Sequence, residues 1–399
     1  MPRDVERVQR ITRALVEAQL DAVVCALPAN VLLLSGYWPV VGTACAIVTR
    51  DGQVAVVTPR DEQRFAERGW ADVVVPFEAG SLHDMPAVVD AVAGPLGQAS
   101  RSLGLEGGRL GYEAGAWFEP ATYASMFLYG GAMEALLQRS IPHSRATACD
   151  AMLVQLRSVK TAAEVARIAA ACRVAASAFA EGARQLRAGL EETEAAECFR
   201  APLSGGVVGH GDVVRADGFV YCMSGANSAL AHAAYARSSG AALEPGRLVL
   251  VHCNSYVDGF WTDITRTYHL GEPEERSRRM YDAVFAARAA ALSAIRPGVR
   301  AADVDRAARD VLAARGFGDA FKHSTGHGVG FAAINHNARP RLHPASGDTL
   351  ESGMVFNVEP AVYFDGYGGL RQCDVVAATD EGCELLTPFQ GRVEELMIG

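Results

Sequence analysis

The sequence predicts two domains: an α/β amino-terminal domain, and an α+β carboxy-terminal domain made of two similar halves. Three observations point there. The chain has 399 residues, and at roughly 100–200 residues per domain two is the natural number. Its side chains are 50% hydrophobic and 21% charged, the composition of a globular protein able to bury a large core. Helical periodicity and short β-branched runs alternate along it, with a break near Arg157–Lys160 that sets the domains at 1–155 and 156–399.

Val5, Val8, Ile11, Leu15 and Val16 recur at helical spacing, so residues 3–19 should form an amphipathic helix. Strands are expected at Asp21–Leu27, Ala44–Thr49, Val54–Thr58 and Asp72–Pro76, separated by turn residues such as Asp51-Gly52. Leu103–Gly111 and Ala146–Met152 read as further strand or connecting segments. After the break, Thr161 and Glu164 form a capping box opening a long helix. Its buried stripe is expected to be Val165, Ile168, Ala169, Cys172, Ala176 and Phe179. A second helix, Met280–Ile295, ends in a similar Arg-Pro-Gly turn, and each long helix is followed by another, at 191–200 and 302–315. Two helical pairs, each followed by strands, suggest a duplication. Strands are expected at Leu248–Val257, Phe260–Leu270, Met354–Glu359 and Leu370–Thr379.

Thirty-seven basic and forty-six acidic residues give a net charge of -9 without a basic block. That argues against nucleic acid and anionic membranes as partners. The apolar stretch Asp21–Thr49 is broken by Pro28, Asn30, Ser35, Gly36 and Pro39, so it does not read as a membrane span. The mixed charges of the first residues do not read as a signal peptide. Nine scattered cysteines without a C-x-x-C pair read as reduced thiols, mostly in cores, of a cytoplasmic protein.

There is no H-E-x-x-H, G-x-S-x-G, Walker loop or strand-linked G-x-G-x-x-G. Polar residues at otherwise apolar strand positions remain. In Asp258-Gly-Phe-Trp261-Thr-Asp263-Ile-Thr265-Arg266-Thr267, alternation sets Trp261, Asp263, Thr265 and Thr267 on one face. A carboxylate there needs a metal, or a cation such as Arg266. In His323-Ser-Thr-Gly326-His327-Gly328-Val-Gly330-Phe331, glycines leave the imidazoles uncrowded, though a polar loop would look the same. Glu359 ends an apolar strand before Pro360, where it could be merely solvated. In Arg371-Gln-Cys373-Asp374, Arg371 and Cys373 share a face opposite Asp374, and Cys373 could be a plain buried thiol.

In this order and spacing, D-x-T-R-T, H-x-T-G-H-G-x-G, the Glu-Pro strand end and G-x-R resemble the creatinase / aminopeptidase P / prolidase family. Leu27-Pro28-Ala29-Asn30-Val31 and Ser35-Gly36 resemble the creatinase-type amino-terminal domain. The resemblance implies a duplicated, pseudo-twofold pita-bread catalytic domain after a creatinase-type domain. Most peptidases of this family hold two divalent metals with two aspartates, a histidine and two glutamates. By resemblance Asp263 is the second aspartate, His327 the histidine and Glu359 the first glutamate. Eleven residues before Asp263, where the first aspartate belongs, stands His252, and Cys373 replaces the bridging glutamate.

These two exchanges bring a softer nitrogen and sulfur into an oxygen site. They leave two outcomes for an active site: one divalent metal (zinc, iron or manganese, with zinc or iron favoured) on Asp263, His327 and Glu359 with His252 or Cys373, or a metal-free site as in creatinase. Asp258 and Asp374 lie on the wrong face to substitute. The resemblance makes His232 the substrate-facing histidine and Arg371 a group that holds a substrate carboxylate or orients Glu359. His323 and His336 are further acid–base candidates, the latter two positions beyond Ile334, where the family's next histidine is expected. Trp261 and Phe331 are candidates for the substrate wall, and Cys373 is also a conceivable nucleophile. The expected activity is hydrolysis of C–N bonds in small amide or dipeptide-like substrates, Xaa-Pro peptidase-like, in a homodimer. A creatinase-like metal-independent hydrolase of a small nitrogenous compound, and a non-catalytic binding protein on the same fold, are the alternatives.

Overall fold

The computed structural model describes residues 2–79, 83, 86–115, 124–125, 130–232, 238–332 and 338–399. The candidate His336 and its neighbour Ile334 lie outside the described residues. The chain divides into two compact units, Met1–Arg157 and Ser158–Gly399. Among the described residues no helix is long and apolar enough to cross a membrane.

The first unit is a six-stranded mixed sheet in the order Val73–Phe77, Val54–Pro59, Cys45–Thr49, Ala22–Cys25, Arg109–Tyr112, Arg145–Ala148. Alternation along the strands sends Ala22, Val24, Cys45, Ile47, Ala55 and Val57 into one core with the helices Val88–Ser102 and Gly130–Ser140. The opening helix runs Val5–Glu17, capped by the Asp4 carboxylate, which accepts from the Arg7 N–H at 2.9 Å.

One local expectation is corrected here, one is resolved between its alternatives, and one helix had no expectation. The residues after Leu27 form a helix, Pro28–Ser35, because Pro28 fits the first helical turn and Gly36 closes it in the left-handed region at φ +69°. Leu103–Gly111, read as a strand or connecting segment, is a connection turned by Gly104 and Gly107 until a strand opens at Arg109. Ala146–Met152 is strand only through Ala148, and a helix opens at Asp150.

In the second unit Thr161 and Glu164 form the expected capping box of the helix Ala162–Gln185. Its buried stripe runs through Ile168, Ala171, Cys172, Ala175, Ala178, Phe179 and Gly182, leaving Val165, Ala169 and Ala176 half-buried at its edge. It pairs with Glu192–Ser204, as Glu275–Ala294 pairs with Ala301–Ala314. Leu248–Val257 is the centre of one sheet, antiparallel to Ala216–Ser224 and to Ile264–Leu270, with His252 opposite Thr265. Val355–Val358 pairs with Asp374–Ala378, and Ala361–Phe364 with Gly368–Arg371.

Two expected continuous strands are interrupted at the residues of interest. Phe260–Leu270 breaks into Phe260–Trp261 and Ile264–Leu270, so Asp263 stands in the gap. Leu370–Thr379 breaks into Gly368–Arg371 and Asp374–Ala378, so Cys373 stands in the other gap. The breaks meet: Thr265 and Cys373 exchange backbone hydrogen bonds, Cys373 N–H to Thr265 O at 3.0 Å and Thr265 N–H to Cys373 O at 3.4 Å.

Candidate active site

The strand pair Leu248–Val257 and Ile264–Leu270 sets His252 beside Thr265, with His252 Nδ1 3.0 Å from Thr265 Oγ1 and 3.7 Å from Asp263 Oδ1. The glycine-flanked loop brings in His327, whose Nε2 lies 3.4 Å from Asp263 Oδ2. That loop passes so close to the next strand that a Cβ on Gly326 would lie 2.0 Å from the Asn357 carbonyl oxygen. Asn357 Oδ1 accepts from the His327 N–H at 2.7 Å, and His327 Nδ1 sits 3.1 Å from Gly328 O. A carbonyl only accepts, so Nδ1 carries a proton and Nε2 is the nitrogen turned to Asp263.

Glu359 follows the strand Val355–Val358, and its Oε2 lies 3.8 Å from Arg371 Nη1. Arg371 Nε donates to Thr265 Oγ1 at 3.0 Å, so one hydroxyl bridges the guanidinium and the His252 ring. Cys373 Sγ lies 3.2 Å from the Asp263 carbonyl oxygen and 3.9 Å from its Oδ1. One donor atom each of Asp263, Glu359 and Cys373 lies within 4.8 Å of the others, and all three residues are buried.

The polar partners sort the charges. Burial opposes the charged form of His327, but the hydrogen bond and charge of Asp263 hold it up at about 9. Burial likewise opposes the Asp263 carboxylate, yet the hydrogen bond and charge of His327, with the charge of Arg371, keep it well below the usual carboxylate range. Burial raises Glu359 to about 7 against the pull of Arg371. It pushes His252 down to about 4, aided by Arg371, so that ring is neutral. The Cys373 thiol is pushed well above its ordinary value by burial and by the carboxylates of Asp263 and Glu359. A thiol so placed is a poor nucleophile without a cation beside it.

Arg266, considered as a partner for Asp263, turns the other way. It is fully buried and pairs with Asp374 at 2.8 Å. Asp374 is thereby committed on the opposite face, as expected, and Asp258 accepts from the N–H groups of Val214 and Arg215.

A second group of side chains surrounds Tyr363. His323 Nδ1 sits 2.7 Å from Ser324 O and its Nε2 2.9 Å from Tyr363 Oη, so both ring nitrogens are engaged. Burial and Arg371 push His323 down to about 3. The half-buried His232 ring lies 5.3 Å from the Tyr363 ring, and burial lowers its pKa. Trp261 packs on Tyr256 at 4.7 Å and stacks on Phe219 at 6.5 Å, and Phe331 packs on Phe260 at 5.8 Å.

Thr265, Asn357 and Tyr363 are the members that sequence reasoning did not assign. Each carried a signal: Thr265 and Asn357 stand two positions from Asp263 and Glu359, and Tyr363 is the only hydroxyl in its short strand. His252 Nε2 and Arg371 Nη2 are buried without a hydrogen-bond partner among the described residues.

Two carboxylates and a thiol within 4.8 Å of one another, with His327 beside Asp263, are donors of a kind that suits one divalent cation, the sulfur favouring zinc or iron over manganese. They do not fit a pair of hard cations. The cysteine offers one sulfur where a bridging carboxylate offers two oxygens, and among the described residues the buried donor group does not include His252.

The description "Metallopeptidase family M24" matches residues 166–380, and "Creatinase/Prolidase N-terminal domain" matches residues 7–128. A Xaa-Pro dipeptidase of Pyrococcus furiosus is 29% identical over 384 residues, covering 96% of this chain and 97% of the relative. Among solved structures, the prolidase from Pyrococcus furiosus superposes with a TM-score of 0.73 at 26% identity, over 95% of this chain and 99% of that one. The prolidase from Pyrococcus horikoshii reaches 0.76 at 24% identity over 97% and 99%, a likeness of fold. The family match spans every segment that contributes to the buried cluster, and with it the chain belongs to metallopeptidase family M24: a hydrolase with a pita-bread catalytic domain.

Proposed function

We propose that this chain hydrolyses the amide bond of Xaa-Pro dipeptides with a single divalent cation held by Asp263, Glu359, Cys373 and His327. The observation that carries the reading is the convergence of an oxygen–oxygen–sulfur donor set within 4.8 Å beside a histidine already turned to Asp263. The full-length relative named as a Xaa-Pro dipeptidase supports the substrate class.

When bound, the cation supplies positive charge that polarises the substrate carbonyl and acidifies the attacking water. The protein's own part follows from its geometry. Glu359 accepts the water proton on a carboxyl oxygen and returns it to the departing proline nitrogen. His232, near Tyr363 and neutral at pH 7, donates an N–H to the developing oxyanion. His323, with both nitrogens engaged, holds the Tyr363 hydroxyl rather than moving a proton. The unpartnered Nη2 of Arg371 offers its N–H groups to the substrate carboxylate, while Nε and Nη1 stay on Thr265 and near Glu359.

The test is elemental analysis of protein purified without added metal, followed by Ala-Pro turnover with and without chelator. Close to one zinc or iron per chain and chelator-sensitive release of proline are expected. In the cobalt-substituted protein a thiolate-to-metal charge-transfer band should be present and should vanish in Cys373→Ser. Two metals per chain, or a band unchanged in that variant, would overturn the single-ion assignment. Chelator-resistant turnover of a small C–N substrate by metal-free protein would replace it with the creatinase-like reading.

A further inference from the structure

Glu192 is fully buried at the start of the helix Glu192–Ser204, away from the donor cluster, yet its carboxyl group accepts five hydrogen bonds. Oε1 takes the Ser224 N–H at 2.6 Å and the Ser224 hydroxyl at 2.9 Å. Oε2 takes Asn227 Nδ2 at 2.7 Å, the Ser239 N–H at 2.8 Å and the Ser239 hydroxyl at 2.7 Å. All five donors flank His232, two residues before it and one after it in sequence.

The tie continues inward. Ser224 ends the strand Ala216–Ser224, and the helical turn Gly225–Ser228 leads into the turn Ala229–His232. Within that turn Ser228 Oγ accepts from the Gly369 N–H at 2.8 Å. Contact is so close that a Cβ on Gly369 would stand 2.3 Å from Ser228 O. Gly369 is the register partner of Tyr363, the residue His232 lies against. A helix capped by its own serine or threonine would not need a carboxyl group shared among three residues of another segment. The capping-box carboxylate of this helix is Glu194, bonded to the Glu191 N–H at 3.0 Å, which leaves Glu192 unneeded for that purpose.

The geometry points to Glu192 as a positioning residue that fixes both flanks of the segment carrying His232 and thereby aims that imidazole at the substrate. This rests on the proposed role of His232. Glu192→Gln keeps the size but turns an amide N–H₂ against donors that now lack an acceptor. Displacing a reacting group by about 1 Å can cost on the order of 100-fold in rate.

The experiment is a double-mutant cycle on the metal-loaded, full-length protein, reading kcat and KM for Ala-Pro together with thermal unfolding. Glu192→Gln should lower kcat roughly 100-fold in the parent and less than about threefold in a His232→Ala background, because the imidazole it aims is gone. An equal loss in both backgrounds would mean a merely structural carboxyl group and would overturn the inference. His232→Ala leaving kcat/KM unchanged would instead refute the proposed role of His232. Should Glu192→Gln fail to fold, Ser239→Ala carries the same cycle. It deletes one of the five bonds, with an expected loss of about three- to tenfold in the parent and none beside His232→Ala. A full loss there as well has the same overturning force.

Discussion

Replacing Asp374 by asparagine separates fold from chemistry one residue away from Cys373. Asp374 is fully buried, and its two oxygens face two cations: Arg266 Nη2 at 2.8 Å and Arg288 Nε at 2.5 Å. The Thr387 hydroxyl also donates to it at 2.9 Å. Burial alone would raise this carboxyl group, but the two guanidinium groups hold it below its ordinary value. Removing one partner of a buried ion pair costs about 3–5 kcal/mol, because a charge is left uncompensated. The lower figure applies here. The other N–H groups of Arg266 go to backbone carbonyls of Thr265, Cys373, Thr387 and Phe389, so charge balance is lost but not its hydrogen bonds. For a unit of this size about 3 kcal/mol corresponds to a fall in Tm of roughly 6–12 °C. Calorimetry of Asp374→Asn measures that, and elemental analysis of the same preparation should find metal content unchanged, since Asp374 faces away from the donor set. The folded-state pKa is depressed, so the stabilisation is present above the unfolded value of 3.8 and fades as pH falls through the folded one. The difference in Tm should therefore persist at neutral pH and shrink in strong acid. A variant that melts within about 2 °C of the parent at neutral pH, or that loses its metal while melting normally, would refute this division of the two strand faces.

Thr265→Val should strip the hydroxyl shared by His252 Nδ1 and Arg371 Nε, with a cost of about 2–4 kcal/mol for two buried groups left unpaired; urea unfolding with an unchanged m-value measures it, and a shift under 1 kcal/mol would count against the bridge. In the amino-terminal unit, Glu113 accepts from the Leu27 N–H at 2.6 Å, from Asn30 Nδ2 at 2.6 Å and from the Ala26 N–H, yet burial raises it to about 7 from 4.5. Its folded pKa is above its unfolded one, so its own contribution to this unit's stability is fully present below about 4.5 and falls by roughly 3 kcal/mol as pH rises through 7. Glu113→Gln should flatten that slope in thermal melts across the interval; a parent that gains stability relative to the variant as pH rises would reverse the sign and refute it.

Much of the fold was legible because the signals were local. The Thr161 and Glu164 box, the alternation of Leu248–Val257 and the heptad-like spacing of Val5 to Leu15 each report on their own neighbourhood, and each element stands where expected. The helix Pro28–Ser35 was hidden because it is apolar on all sides, which removes the periodicity that marks a surface helix. The stripe of Ala162–Gln185 was misplaced for a related reason: in so alanine-rich a helix, size does not tell the buried face, and Gly182 facing the Phe199 ring decides it. At the site, the residue types at 263, 327, 359 and 373 could be read and the resemblance grouped them, but which of His252 and Cys373 joins the group could not be read. Donor atoms of Asp263, Glu359 and Cys373 converge within 4.8 Å and His252 stands outside that group, a distinction that lies in tertiary distances no spacing records.

The proposed single-ion site needs donors that differ from the family's on an unchanged fold, and the two ladder breaks give a structural basis for that. In a continuous strand, Asp263 and Cys373 would have their backbones committed to neighbours whose side chains must pack on both sides, and exchanging a carboxylate for a thiol would disturb that packing. At the breaks, the reciprocal Thr265–Cys373 backbone pair joins the segments, beside the side-chain bonds of Arg371 to Thr265 and of Cys373 to the Asp263 carbonyl. Such a pair is indifferent to what the side chain at 373 is. Structural cost is then carried by the neighbours that do ladder, Arg266 and Asp374, whose ion pair is closed on the far face. On the proposed reading, a sulfur at 373 then bears on which cation is held and how many, and not on whether the domain folds.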